Sequence, residues 1–448
     1  MAKERDLTTG GITAGLWAFA LPLMLGNVMQ QFYNLVDTWV VGRYIGDNAL
    51  AAVGASYTLM TFLTSVIIGM CLGSGAYLSM AYGRRDDEAI RGGLFQSFTL
   101  IGSLTVLIMV IFYLVLDPVI RLMQVPEETF VDMRTYLFYV FFGFFATFLY
   151  NYFANVLRAM GNSVIPLIFL GVSVILNVFL DLYFVLGLSM GIKGAAVATV
   201  MAQTVSGVGI LLYFWIAYPK LRIRREAMTW DPERLRNILS LSGFTCLQQS
   251  VMNFGILMVQ GIVNSFGATV MAAFAVAVKI DTIAYMPVQD FGNAFSVFVA
   301  QNFGAKKPER IRQGIRSAAI SVLLFCIVIS TAVFALARPL MQIFVDKTSV
   351  EVVNVGVQYL RIEGTFYLGI GILFMLYGYY RAVNKPLMSV VLTVISLGTR
   401  VALAYLLSGI DRIGVVGIWV AIPIGWFLAD AAGIVYYIKK ERTARYDI

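Results

Sequence analysis

Twelve apolar runs, each long enough to cross a bilayer, partition this chain of 448 residues. The hydrocarbon core of a membrane is about 30 Å thick and takes roughly 20 helical residues per crossing. Inside it every backbone N–H and C=O must be satisfied, and a helix does that within one segment. The runs lie at 14–39, 50–80, 92–116, 134–158, 164–187, 192–216, 237–263, 270–300, 313–337, 357–381, 387–408 and 414–438. The expected fold class is an all-α membrane protein of twelve transmembrane helices. The first run is too long for the core of a signal peptide and reads as a retained helix.

The charges say what such a chain does not do. Hydrophobic residues make up 59% and charged residues 13%, where a soluble domain carries about a quarter charged. A net charge of +8 would suit nucleic acid in a soluble chain, but here the basic residues sit in the loops between apolar runs, the signature of membrane topology. There is no histidine, so imidazole catalysis, proton relay and metal binding are excluded. Cys71, Cys246 and Cys326 lie in apolar stretches without metal or disulfide spacing. No nucleotide-binding loop is recognisable. An enzyme, a nucleic-acid partner and a bound cofactor are not expected.

Orientation follows from lysine and arginine. With both termini on one side, that side holds 23 of the 33 basic residues, among them Arg84, Arg85, Arg91, Lys306, Lys307, Arg310 and Arg312. The bias places both termini in the cytoplasm of a multi-pass protein of the cell membrane.

The two halves resemble each other. Gly83-Arg84-Arg85-Asp86 follows the second run, and Gly304-Ala305-Lys306-Lys307 follows the eighth. Arg158-Ala159-Met160-Gly161-Asn162 and Arg381-Ala382-Val383-Asn384-Lys385 follow the fourth and tenth. Gly194 opens the sixth run as Gly417 opens the twelfth. These pairs keep a nearly constant offset. They divide the chain into an N-lobe at 1–217, a cytoplasmic loop at 218–236 and a C-lobe at 237–448 with a short cytoplasmic tail. Two six-helix lobes related by an internal repeat commonly hold substrate at their interface and alternate its access.

The first run carries Leu21-Pro22-Leu23-Met24 and Gln30-Gln31-Phe32-Tyr33-Asn34-Leu35-Val36-Asp37-Thr38. The fifth carries Asn177-Val178-Phe179-Leu180-Asp181, and Gly194-Ala195-Ala196-Val197-Ala198-Thr199 opens the sixth. With Arg158-Ala159-Met160-Gly161-Asn162, this pattern resembles the multidrug and toxic compound extrusion (MATE) family, and within it the DinF-like branch. The resemblance covers nearly the whole chain. It implies a two-lobed antiporter that expels amphipathic, often cationic small molecules, driven by inward Na⁺ or H⁺. It also implies that Asp37, Asn177, Asp181 and Thr199, with the backbone carbonyl of Ala195, form an N-lobe cation site.

The residues support that assignment independently. An ionisable side chain inside a span costs several kcal/mol and is a functional candidate by default. Asn177 and Asp181 are one turn apart on one helical face. The set offers oxygen ligands, which suit a hard cation such as Na⁺. A carboxylate pair in a low dielectric repels itself, and either Na⁺ or a proton relieves it. The residues do not choose between the two ions.

The second half does not copy this site. At the repeat offset Arg400 stands where Asn177 does, and Ala404 where Asp181 does. Lys279, Asp281, Glu363 and Arg400 form a candidate C-lobe polar network, with Asp290 and Asp430 as further acids inside the spans. Gln30, Gln31, Tyr33, Asn34, Asn151, Asn155, Gln248 and Asn253 are candidates for lining a substrate cavity, because amides are disfavoured against lipid. Pro22 is a candidate hinge in the first span, and Pro287 and Pro423 are expected to break the eighth and twelfth. A single chain with both lobes is expected to work as a monomer. Two other readings stay open: a flippase for lipid-linked precursors, which would need a strongly cationic cavity, and a receptor or assembly subunit that transports nothing.

Overall fold

Every apolar run folds as helix, and most of these helices extend past the run into the flanking polar residues. The structure is a computed structural model that describes residues 5–123, 125–223 and 228–441. Lys3, residues 224–227 of the expected inter-lobe loop and the basic tail from 442 lie outside the described residues. Among the described residues there are fourteen α-helices: α1 (Ile12–Tyr44), α2 (Asp47–Gly83), α3 (Asp87–Leu122), α4 (Glu127–Val140), α5 (Phe144–Ala159), α6 (Val164–Asp181), α7 (Gly191–Ala217), α8 (Pro232–Asn264), α9 (Ala268–Gly304), α10 (Pro308–Phe344), α11 (Val350–Thr365), α12 (Tyr367–Ala382), α13 (Pro386–Ser408) and α14 (Val416–Tyr436).

The loop chemistry sets the ends. Asp86 caps α3 by accepting from the Ala89 N–H at 2.9 Å, and Asp87 and Glu88 fill its first turn, where the helix dipole favours negative charge. Pro308 and Pro386 open α10 and α13 at positions whose N–H would go unused anyway.

Fourteen helices make twelve spans. Helices α4 and α5 form one crossing through a short 3₁₀ turn at Phe141–Gly143. Helices α11 and α12 form another, bent by 53° at Phe366. That bend has no proline. Pro287 and Pro423, expected to break their spans, lie inside α9 and α14, which run on through them. A proline removes one backbone bond, and packed neighbours can resupply a freed carbonyl in a bundle.

The repeat is written into the backbone. Left-handed φ angles recur in register: Gly46 at 125° and Gly267 at 92°, Arg85 at 58° and Lys306 at 55°, Gly161 at 83° and Asn384 at 58°, Gly191 at 59° and Gly414 at 53°. Three of the pairs contain glycine, and Asn384 is a residue that tolerates this conformation. Each half also has its fourth span interrupted at the same place.

The chain packs as two compact units. Unit 1 comprises residues 1–6 and 21–246, unit 2 residues 7–20 and 247–448. In unit 1 the first turns of α8 lie tightly on α2. A Cβ on Gly69 would come within 2.6 Å of Cys246 Cα, one on Gly73 would strike the Leu241 carbonyl, and Ser242 Oγ donates to the Met70 carbonyl at 3.0 Å. Small residues let backbones approach where lipid provides no hydrophobic driving force. In unit 2 the segment leading into α1 is clamped by Arg310. Its guanidinium donates to the carbonyls of Leu7, Thr9 and Gly10 at 3.1, 2.6 and 3.0 Å. Lys307 donates to Thr8 O at 2.8 Å, and Trp17 Nε1 to Ser321 Oγ at 3.1 Å.

Candidate functional site

Three helices of unit 1 bring the predicted residues together. Helix α1 supplies Tyr33 and Asp37, one turn apart. Helix α6 supplies Asn177 and Asp181, and α7 supplies Thr199. Asp37, Asn177, Asp181 and Thr199 are all buried, Asp181 completely. Thr199 Oγ1 is the hub. It accepts from Asn177 Nδ2 at 3.4 Å and meets the Tyr33 hydroxyl at 3.3 Å. The carboxyls of Asp37 and Asp181 are close enough to feel each other's charge across the buried cluster.

The protein supplies these acceptors with few donors. Asp37 Oδ1, Asn177 Oδ1 and both oxygens of Asp181 are buried without a conventional donor. An unsatisfied buried polar atom costs about 1–3 kcal/mol, more when charged. Four such atoms in one cluster define a locus of negative potential that a small positive species would relieve. Among the described residues no three His, Cys, Asp or Glu side chains gather closely enough to hold a metal ion. Two carboxylates among neutral oxygens suit a monovalent cation or a proton better than a divalent one.

The α-helical ladder of α6 ends at Asp181 and continues as a wider π turn over Leu182–Gly187. Such turns inside helices concentrate at functional sites. Ala195 is buried one turn before Thr199. Its carbonyl faces the Thr199 N–H in the α7 ladder, leaving one lone pair for any further ligand.

Unit 2 holds a separate polar cluster. Asp281 on α9 accepts from the Tyr359 hydroxyl of α11 at 3.3 Å. Glu363, one turn beyond Tyr359, is completely buried with no donor to either oxygen. The charges around it are Asp281 and Arg400 of α13. The Arg400 guanidinium lies over the Trp426 ring, 5.9 Å from its centre. Asp430 on α14 is buried, again with no donor to either oxygen. Of the four residues read as a C-lobe network, Asp281, Glu363 and Arg400 share one electrostatic neighbourhood, without an ion pair between them among the described residues. Lys279 is exposed and stands apart from them, because it lies two residues from Asp281 and so points to another side of α9.

A MatE family model matches residues 22–183 and again 244–406. The chain belongs to the MatE family. The double match is the repeat seen in the backbone. The chain is 29% identical over 439 residues to a probable multidrug resistance protein, YpnP of Bacillus subtilis, with 97% of each chain covered. It is 26% identical over 407 residues to the probable multidrug resistance protein NorM of Thermotoga maritima, covering 90% of this chain and 87% of that one. Among solved structures it is similar to an outward-facing multidrug resistance MATE family transporter of the MOP superfamily, with a TM-score of 0.91, 21% identity, and 99% and 98% of the two chains covered. The chain is therefore a multi-span membrane transporter of the MatE family with the twelve-helix, two-lobed fold, and not an enzyme.

Within this MatE chain, other sequence candidates have local explanations. Asn151 and Asn155 donate back to the carbonyls of Thr147 and Asn151, at 2.9 and 2.8 Å on their own helix. Gln31 and Asn34 are half-buried, Gln30 is exposed, and Gln248 is buried. Sequence reasoning missed Tyr136 of α4, which is buried in the electrostatic neighbourhood of Asp37, Tyr33, Asp181 and Thr199. One tyrosine among 23 carries no signal of its own.

Proposed function

We propose that the chain is a cation-coupled antiporter that exports amphipathic, often cationic organic compounds by alternating access, driven by inward H⁺ or Na⁺. The observation that carries this reading is the Asp37–Asp181 pair with its donor-poor oxygens. Antiport needs a site whose occupation by a cation changes the energy of one lobe. A self-repelling carboxylate pair in a low dielectric does that, because its neutralisation removes the repulsion. Asn177, Thr199, Tyr33 and the Ala195 carbonyl would complete the oxygen shell around Na⁺, or hold the proton-sharing geometry. The multidrug resistance relatives favour organic small molecules as the exported partner. Gln30, Gln31, Asn34, Asn151, Asn155, Gln248 and Asn253 remain the candidates for contacting them. Asp281, Glu363 and Arg400 would act as a charge network of the C-lobe, and Pro22 as a hinge in α1. Both termini are assigned to the cytoplasm of the cell membrane, and a single chain to the functional unit.

The test is efflux of a fluorescent organic cation from proteoliposomes under a Na⁺ gradient and a pH gradient imposed separately. Wild type should transport under at least one, which names the ion. Asp37→Asn should lose the response to that gradient. Transport that survives Asp37→Asn would remove the pair from the mechanism. A folded wild type inert under both gradients would point to the flippase reading.

A further inference from the structure

Unit 1 carries a groove of about 380 Å³ between α3 and α4, far along the chain from Asp37 and Asp181. Its walls are Tyr113, Leu114, Leu116, Pro118, Phe138 and Phe142. Tyr113, Phe138 and Phe142 pack ring on ring, with centres 5.4 to 5.5 Å apart, and Tyr113 is pinned by donating to the Phe138 carbonyl. Leu114 is 76% exposed and Phe142 54%, so in a membrane this face meets lipid.

Asp117 and Arg134 also line the groove. Arg134 Nε donates to Asp117 Oδ1 at 2.7 Å. That bond uses one of the five guanidinium N–H groups and one carboxylate oxygen. The two terminal amino groups of Arg134 and Asp117 Oδ2 are left for a ligand. A third polar group follows from the sequence. Pro118 has no N–H, so the Leu114 carbonyl one turn earlier loses its helical donor. In a bilayer such a carbonyl needs a donor from somewhere. The groove thus offers donors for an anion, two acceptors for a hydrogen-bonding cation, and an apolar floor. Asp117 and Arg134 lie within about two turns of the neighbouring ends of α3 and α4, the level at which charged side chains reach lipid headgroups.

We propose that this groove is a binding site for an ethanolamine phospholipid. The phosphate sits on the terminal N–H groups of Arg134, the ammonium donates to Asp117 and the Leu114 carbonyl, and an acyl chain lies on Leu114, Phe138 and Phe142. A choline headgroup carries no N–H and cannot satisfy the two acceptors. A glycerol headgroup adds no positive charge to answer Asp117. The headgroup order is therefore ethanolamine before glycerol or choline. The site is independent of the transport reading.

The test is native mass spectrometry of the delipidated full chain, offered an equimolar mixture of ethanolamine, glycerol and choline phospholipids with identical acyl chains. Wild type is expected to retain the ethanolamine lipid at least several-fold over the choline lipid. Arg134→Gln should lower retention of all three. Asp117→Asn and Pro118→Ala, the latter restoring a helical donor to Leu114, should each reduce the ethanolamine-to-choline ratio without lowering total lipid. The ion pair is half-exposed, so breaking it costs little stability. If Arg134→Gln nevertheless misfolds, the ratio in the other two variants decides. Equal retention of the three headgroups, a glycerol preference, or a ratio unmoved by Asp117→Asn and Pro118→Ala would overturn the proposal.

Discussion

Folding unit 1 takes Asp181 out of water and leaves both of its oxygens without a donor, beside a second carboxyl. A residue so placed lowers stability unless something positive joins it. Asp181→Asn keeps the shape and removes the charge. It should raise the melting temperature in detergent by a few degrees, about 1–2 kcal/mol for relief of an unpaired buried charge, while abolishing gradient-driven transport. If Na⁺ is the coupling ion, added Na⁺ should raise the wild-type melting temperature, since a ligand that binds only the folded state stabilises it by mass action. Neither Asp37→Asn nor Asp181→Asn should respond. A variant less stable than wild type would show that the pair contributes to the fold rather than to ion binding. Tyr136→Phe removes one buried hydroxyl from the surroundings of Asp37, Asp181 and Thr199. The expected cost is about tenfold in transport at limiting gradient, the equivalent of roughly 1.4 kcal/mol, with the melting temperature nearly unchanged.

At the scale of elements, legibility follows the kind of signal. Asp37, Asn177 and Asp181 could be read from the sequence because a carboxylate or amide inside an apolar run is expensive and stands out, whereas Thr199, an ordinary residue in a span, could be read only through the family resemblance. The hairpin loops could be read because Gly161-Asn162 and Asn384-Lys385 combine turn residues with charge at a repeating distance. Tyr136 could not, since an aromatic residue is ordinary in a membrane helix. Nor could the π turn after Asp181 or the 53° bend at Phe366, which depend on packing rather than on any breaker residue. The proline reading erred in the opposite direction for α9 and α14. Pro22 poses the same question for α1, which also runs on through it. If α1 bends there during transport, Pro22→Ala should slow efflux several-fold while the Na⁺ or pH response of the melting temperature persists. A static kink predicts no change in rate. Gly73 tests packing instead. A valine side chain there has no space against Leu241, and overpacking costs typically 1–3 kcal/mol. Gly73→Val should lower the melting temperature by several degrees, read by fluorescence-detected size exclusion after heating.

For the whole molecule, the repeat suggests cutting the chain into lobes at the loop 218–236, but the packing makes each half depend on the other. Unit 2 includes residues 7–20, which precede the cut, and binds them through three carbonyls on Arg310 and through Trp17 on Ser321. Unit 1 includes the first turns of α8, which follow the cut and lie against Gly69 and Gly73. A fragment 1–227 lacks the segment that covers those glycines. A fragment 228–448 takes away the carbonyls that Arg310 and Lys307 donate to and one of the two that hold the buried Asn302 amide. Either fragment expressed alone should therefore be degraded or aggregate. Co-expressed, the two should copurify and restore efflux, because no described helix is interrupted. Arg310→Ala should weaken copurification of the fragments more than it weakens the intact chain, where covalent connection keeps the segment at high effective concentration. Stable, monodisperse single fragments would mean that the exchanged segments are incidental and that each half folds by itself.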